Sequence, residues 1–156
     1  MKKTMIVFGA AAILSLLTAT MMWGGEDHPR KGQLVSENET VIREFLKAWS
    51  RLDPKELASY FTDDGIYYNM PLQPVQGREK IQGFIGGFIS AWTKTDWEVV
   101  NIVARGDLVI AERVDRTKAG DKSVDLPCVG VFELENGKIK VFRDYFDIGT
   151  YMKGMS

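Results

Sequence analysis

The stretch SVDLPCVGVFELENGKIKVFRDYFD, residues 123–147, decides the fold. Its centre, Asn136-Gly137, is the dipeptide most typical of a two-residue hairpin turn, and alternating apolar residues flank it on both sides. We therefore predict that a strand over Ser123–Glu135 pairs with a strand over Lys138–Asp147.

Asp144 lies in an apolar setting within the second of these strands. An alternation of two places it on one face with Phe142 and Phe146. A carboxylate between two rings costs free energy unless it is paired, and the sequence offers Arg113 and Asp115 on one face of another strand. One guanidinium neutralises one carboxylate, so the other carboxyl is driven to keep its proton. The alternative is a structural salt bridge, and spacing leaves both interpretations open.

Helices precede the strands. Apolar residues at helical spacing predict three of them: about Glu37–Leu52, opened by a capping box of Ser36 and Glu39; a short helix after Asp53-Pro54; and a third after Gly77-Arg78. From Asp96 onward the whole pattern reads as strand. The remaining predicted strands are Ile66–Met70 after a turn at Asp63-Asp64-Gly65, Trp97–Ala104 and Leu108–Arg116. Helices followed by antiparallel strands predict an α+β domain with a curved sheet around the helices.

Composition excludes several classes of protein. The 156 residues are 45% hydrophobic, enough for one domain with a packed core, and a net charge of -1 without basic runs gives no reason to expect nucleic acid. Cys128 is the single cysteine, which excludes an intrachain disulfide. His28 is the single histidine and lies outside the periodic segments, which argues against a histidine metal site or triad within the domain.

The N-terminal residues read as an export segment. Lys2 and Lys3 precede 19 uncharged residues, Met5–Trp23, which as a helix would span ~28 Å. We predict a signal peptide or membrane anchor over 1–25, a linker over 26–35 and a domain over 36–156. In either case the domain is expected outside the cytoplasm, periplasmic or extracellular, or attached to the membrane through residues 5–23.

Two polar residues lie two apart in the first predicted strand. Tyr67 and Asn69 share a face just before Pro71, and a phenol and an amide beside Asp144 could hold a water molecule. Taken alone, Asn69-Met70-Pro71 also fits a simple turn.

Three separated blocks together resemble the limonene epoxide hydrolase family, within the cone-shaped α+β fold of nuclear transport factor 2 and the ketosteroid isomerases. The similarity extends from about Glu37 to Tyr151. The blocks are Tyr67-Tyr68-Asn69-Met70-Pro71-Leu72 with Pro74 and Gly77-Arg78; Glu112-Arg113-Val114-Asp115; and Gly130-Val131-Phe132 through Gly137-Lys138-Ile139 to Arg143-Asp144-Tyr145-Phe146-Asp147.

The resemblance implies a role for each candidate residue. Asp144 would be the base that deprotonates the hydrolytic water, which Tyr67 and Asn69 would hold. Asp115 would be the acid that protonates the epoxide oxygen, and Arg113 would connect the two carboxyls. The reaction would convert a lipophilic epoxide, terpene-like or otherwise hydrophobic, and water into a vicinal diol in one step, with no covalent intermediate, metal or cofactor.

The resemblance also implies a homodimer and a deep apolar pocket. We expect the pocket wall to come from the first and third helices and from Leu126, Cys128, Gly130 and Phe132, with Cys128 as a small wall residue. Two features depart from the family: Phe142 stands where tryptophan is frequent, and the export segment is unusual. The alternatives are another enzyme of this fold, an epoxide-opening cyclase or an isomerase, and a non-catalytic binder of lipophilic molecules.

Overall fold

The computed structural model describes residues 31–70 and 72–156. Four α-helices are present in these ranges: α1 Lys31–Ala48, α2 Pro54–Ser59, α3 Arg78–Phe88 and α4 Ile148–Met155, with a 3-10 turn at Trp49–Arg51 after α1. The predicted export segment and residues 26–30 of the predicted linker lie outside the described residues. Residues 31–35 of that linker are helical, since α1 continues through Ser36 rather than beginning there.

A six-stranded sheet forms the other half of the domain. Its strands are β1 Phe61–Asn69, β2 Val75–Gln76, β3 Lys94–Arg105, β4 Leu108–Ala119, β5 Lys122–Glu135 and β6 Lys138–Phe146. The order is β2-β1-β6-β5-β4-β3, and β1 runs parallel to β6 while every other pair is antiparallel. The predicted α+β domain is therefore confirmed, with a mostly antiparallel sheet that the parallel β1–β6 pair makes mixed.

The predicted hairpin turn is present between β5 and β6. Asn136 and Gly137 both have positive φ, 51° and 71°, as a two-residue turn of this type requires. The turn predicted at Asp63-Asp64-Gly65 is wrong, because β1 passes through it with a register shift between Phe61 and Ile66. A Cβ at Gly65 would lie 3.1 Å from the Ile139 carbonyl oxygen, so glycine permits the close approach of β1 to β6 at this irregularity.

The prediction that only strands follow Asp96 is wrong at the C-terminus, where α4 begins after Asp147. The Asp147 carboxylate accepts hydrogen bonds from the Thr150 backbone N–H at 2.7 Å and from its hydroxyl at 2.6 Å, an N-cap arrangement. Tyr151 and Met155, four residues apart, pack towards the sheet. The predicted N-cap of α2 is confirmed, with Asp53 accepting from the N–H groups of Lys55 and Glu56.

The core lies between α1 and the inner face of the sheet. Phe45 on α1 is fully buried and meets Phe132 and Phe142 edge to face, at centroid distances of 6.0 and 5.7 Å. Along the inner face of β4, apolar Val109 and Ala111 give way to Arg113, Asp115 and Thr117, all buried. The sheet thus carries an apolar core at one end and a polar cluster at the other. No helix in the described ranges is long and apolar enough to cross a membrane.

Candidate active site

The sheet register brings the predicted carboxyls together on the inner face. Gly130 of β5 lies opposite Asp144 of β6 on one side. On its other side β5 faces β4, where Cys128 lies opposite Arg113 and Leu126 opposite Asp115. The side chains of Arg113 and Asp115 on β4 therefore meet the side chain of Asp144 on β6, although β5 lies between these two strands.

Arg113 holds both carboxyls with one guanidinium. Its Nε donates to Asp115 Oδ1 at 2.8 Å and its Nη2 donates to Asp115 Oδ2 at 3.1 Å. The same Nη2 lies 2.7 Å from each carboxyl oxygen of Asp144. The guanidinium is fully buried, so solvent screens these interactions little.

A tryptophan that the sequence interpretation missed supports the guanidinium. The Arg113 guanidinium carbon lies 4.4 Å from the centroid of the Trp97 ring, within the range of a cation–π contact. Trp49, the first residue of the 3-10 turn after α1, stacks on Trp97 with centroids 4.0 Å apart and planes at 15°. The alternation of Thr95 and Trp97 in β3 indicates that both side chains face the interior, where both are buried. Only the pairing of Trp97 with Asp115 in the β3–β4 register places the ring against the site.

Burial controls the protonation of the two carboxyls. Burial raises the pKa of Asp115 to about 6 against the opposing attraction of Arg113, and the nearby Asp144 charge adds to the rise. Burial also raises the pKa of Asp144, again opposed by Arg113. Since the two carboxyls share one cation, a single proton on the pair leaves the cluster electrically neutral. The cluster can thus supply one acid and one base near neutral pH.

Tyr67 and Asn69 enter the same cavity from β1. Asn69 lies opposite Asp144 in the parallel β1–β6 pair, and the backbone N–H of Met70 donates to the Asp144 carbonyl at 2.9 Å. The Asn69 side-chain oxygen is buried with no hydrogen-bond partner among the described residues, so it offers an acceptor for a water molecule. Burial, with the charge of Asp144, raises the pKa of Tyr67 well above its ordinary value, so the phenol keeps its proton.

Cys128 touches the cluster as well as lining the cavity. Its Sγ lies 3.3 Å from Asp115 Oδ2 and 3.3 Å from the Leu126 carbonyl oxygen, and the thiol can donate to either. Burial raises the thiol pKa, so Cys128 stays protonated and is a poor nucleophile. The predicted wall position is confirmed, while the contact with Asp115 was not predicted.

A cavity of about 20 Å³ opens beside the cluster, which is room for about one water molecule. Its wall includes Phe88 of α3, Tyr151 of α4 and, on β5, Leu126 and Cys128. The expectation that α1 and Phe132 form part of the wall is wrong, because Phe132 and the apolar side chains of α1 pack in the core without lining this cavity.

Gly130 does not line the cavity either, but the cluster depends on it. A Cβ at this position would lie 2.7 Å from the Phe132 ring and 2.8 Å from Arg113 Nη1. Any side chain here would therefore displace the guanidinium or the ring. The sequence places Gly130 on the inner face, but the reason for glycine becomes visible only with the Arg113 side chain in place.

Comparison with known proteins gives a consistent family. The catalytic-domain model of limonene-1,2-epoxide hydrolase matches residues 36–156. Epoxide hydrolase EphG of Mycobacterium tuberculosis is 28% identical over 122 residues, 74% of this chain and 76% of that protein. The structure of an LEH-like epoxide hydrolase from M. tuberculosis matches with a TM-score of 0.68 at 27% identity, covering 77% of this chain and 90% of that one.

A more distant structure shows the fold alone. An NTF2-like protein of unknown function from Burkholderia pseudomallei matches with a TM-score of 0.69 at 20% identity, over 77% of this chain and 98% of that one. The six-stranded mixed sheet with its N-terminal helices is therefore an NTF2-like fold.

Proposed function

Because the chain belongs to the limonene-1,2-epoxide hydrolase family, we propose that it adds water directly to a lipophilic epoxide and releases a vicinal diol. The observation that carries the proposal is Arg113 holding two buried carboxyls next to the amide oxygen of Asn69, which has no hydrogen-bond partner within residues 31–70 and 72–156. Family membership supports epoxide hydrolysis as the reaction. The lipophilic substrate, the direct attack of water and the role of each residue are our proposal.

Asp144 is the proposed base. It is the carboxyl that lies beside Asn69 in the sheet, so a water held by Asn69 and the Tyr67 hydroxyl lies within its reach. Asp144 removes one proton from this water while the water oxygen forms a bond to one epoxide carbon. A positioned base of this kind contributes about 10²- to 10⁴-fold to the rate.

Asp115 is the proposed acid. As the bond between that carbon and the epoxide oxygen breaks, Asp115 gives its proton to the oxygen, and the second hydroxyl of the diol results. After the reaction Asp144 carries the proton and Asp115 the charge, so the net charge around Arg113 is unchanged. The buried cluster therefore never holds an uncompensated charge, whose desolvation would raise the barrier.

Arg113 keeps its proton throughout. Burial lowers the pKa of its guanidinium, but the attraction of Asp115 and Asp144 outweighs this effect and raises the pKa above its already high ordinary value. The proposed mechanism needs no metal, cofactor or enzyme-bound ester. Cavity walls rich in apolar and aromatic side chains support a lipophilic substrate.

The test traces the new oxygen atom. A truncated protein without residues 1–30 is mixed, in molar excess, with terpene, styrene or fatty-acid epoxides in water enriched in heavy oxygen. We expect the diol of the first turnover to carry one solvent oxygen, measured by mass spectrometry. An unlabelled first-turnover diol would mean that an enzyme carboxylate attacked the epoxide, which contradicts direct hydration. No diol from any of these substrates would contradict the hydrolase function itself.

We further propose that the protein is exported and dimeric. Export rests on the uncharged stretch Met5–Trp23 after two lysines, and either cleavage or membrane attachment fits it. The mass of the N-terminal peptide, compared between the membrane fraction and the soluble extracytoplasmic fraction, distinguishes a membrane anchor from a cleaved signal peptide. Protein found only in the cytoplasm would contradict export.

Dimerisation is supported by exposed apolar side chains on the sheet, among them Val103, Val129 and Tyr145. Light scattering measures the oligomeric state, and protein found only as a monomer would contradict dimerisation.

A further inference from the structure

The cavity beside the carboxyl cluster is walled mainly by rings. Its lining includes a phenylalanine pair, a tryptophan pair and a tyrosine pair: Phe88, Phe146, Trp92, Trp97, Tyr67 and Tyr151. Thr117, Val124, Leu126 and Cys128 complete the wall beside Asn69 and the two carboxyls. Aromatic side chains are therefore the largest class of residue in the wall.

Two of these rings, Trp97 and Tyr67, are held by core rings that pack behind them. Trp97 is packed between Trp49 on one side and the Arg113 guanidinium on the other. Tyr67 stacks on Phe142 with centroids 4.8 Å apart and planes at 1°. Rings fixed in this way cannot turn aside to widen the cavity, because each would have to break a stack that is buried in a close-packed core.

Three of the rings separate the inner cavity from the surface. Phe88, Trp92 and Tyr151 line the cavity on their inner side and, on their outer side, a surface groove that continues to Met152 and Met155 of α4. A substrate coming from this groove must pass these three side chains.

Tyr151 is the one of the three that can yield. Its ring stacks loosely on Phe88, at 5.7 Å and 24°, and its hydroxyl lies 3.3 Å from the Trp92 indole nitrogen, which donates to it. It is carried by α4, an eight-residue helix in which no side chain is fully buried. Displacing Tyr151 therefore disturbs fewer buried contacts than displacing a ring on the sheet.

On the basis of the proposed function, we propose that Tyr151 closes the cavity and, with the fixed rings, makes the enzyme select epoxides carrying a flat aromatic group over equally large saturated ones. A benzene ring is one atomic layer thick and gains offset or edge-to-face contacts with the wall. A cyclohexane chair is thicker and gains no such contacts. Since the cavity has room for about one water molecule, either ring must displace Tyr151 to enter, and the thicker ring requires the larger displacement.

The test compares two substrates that differ only in ring saturation: 2-benzyloxirane and 2-(cyclohexylmethyl)oxirane. In both, a methylene separates the ring from the epoxide, so the intrinsic reactivity of the epoxide is matched. For the wild-type protein we expect kcat/KM to favour the benzyl compound by about tenfold or more, the range that a misfit in an apolar pocket produces. Tyr151→Leu should reduce this preference to less than about threefold, chiefly by raising kcat/KM for the cyclohexyl compound.

Two controls separate the ring of Tyr151 from its other properties. Tyr151→Phe keeps the ring and loses the hydroxyl, so the preference should remain. Lys153→Ala changes an exposed neighbour on the same helix that lines neither the groove nor the cavity and should leave both rates unchanged, with the melting temperature as a check on folding. Equal rates for the two substrates in the wild type, or an unchanged preference in Tyr151→Leu, would overturn the inference while leaving the hydrolase function standing. No diol from either compound would overturn the proposed function and this inference with it.

Discussion

Asp144→Asn is expected to lower the rate of diol formation by at least about 10²- to 10⁴-fold. The amide has the shape of the carboxyl but cannot accept a proton from water. It also removes the negative charge that the ionised Asp144 places beside Arg113, so Asp115 becomes the only acidic partner of the guanidinium. The attraction of Arg113 then lowers the pKa of Asp115 from its raised value of about 6, so Asp115 holds its proton less readily. A single substitution thus impairs both halves of the proposed reaction.

The measurement is the initial rate of diol formation with the matched variant Asp121→Asn as control. Asp121 is exposed in the turn between β4 and β5, so its neutralisation changes the net charge equally without touching the cavity. Circular dichroism and the melting temperature establish whether Asp144→Asn is folded. A folded Asp144→Asn protein with a rate within tenfold of the wild type would mean that another group is the base.

Local patterns were sufficient to predict most of the sheet of this protein. Alternation in β4 and β6 was enough to place Arg113, Asp115 and Asp144 on one face, and the Asn136-Gly137 turn fixed the pairing of Glu135 with Lys138. These features depend on residues close in sequence, with preferences set by backbone geometry. The convergence of the three charged side chains depends in addition on a register shift between Glu133 and Leu134, which places Asp144 opposite Gly130 and which the sequence did not predict.

Other features depend on contacts that no local pattern encodes. The parallel pairing of β1 with β6 joins residues far apart in the chain, and it alone places Asn69 beside Asp144. The support of Arg113 by Trp97 depends on β3, whose register shifts between Val99 and Asn101. A one-residue shift moves every side chain to the other face, so sequence alone could not settle which ring meets the guanidinium.

The missed C-terminal helix illustrates a second kind of ambiguity. Asp147 continues the strand pattern of β6 and is also a good N-cap, so the choice between strand and helix depends on residues 148–155. The spacing of Tyr151 and Met155 fits a helix, but the segment is short and rich in glycine. The error mattered for function, because α4 supplies the ring that closes the cavity.

Arg113→Met should produce the largest loss of stability of any single substitution in the site. Methionine preserves much of the apolar stem but leaves two buried carboxyls facing each other without a cation. Breaking a buried pair in this way typically costs about 3–5 kcal/mol. The surface substitution Arg143→Met, on strand β6, removes an ion pair with Glu133 and should cost no more than about 1 kcal/mol.

The loss should depend on pH in a direction that identifies its cause. Without Arg113, burial and mutual repulsion raise the pKa values of Asp115 and Asp144 further above the ordinary value of 3.8 that the unfolded chain has. The folded variant then binds protons more tightly than the unfolded chain. Its stability is therefore greatest below about pH 4 and falls as pH rises through the raised pKa values of the folded state. Urea unfolding at pH 5 and pH 8 should show the smaller deficit relative to wild type at pH 5. A deficit equal at both pH values would attribute the loss to packing alone, and the charge balance proposed for the two carboxyls would then be wrong.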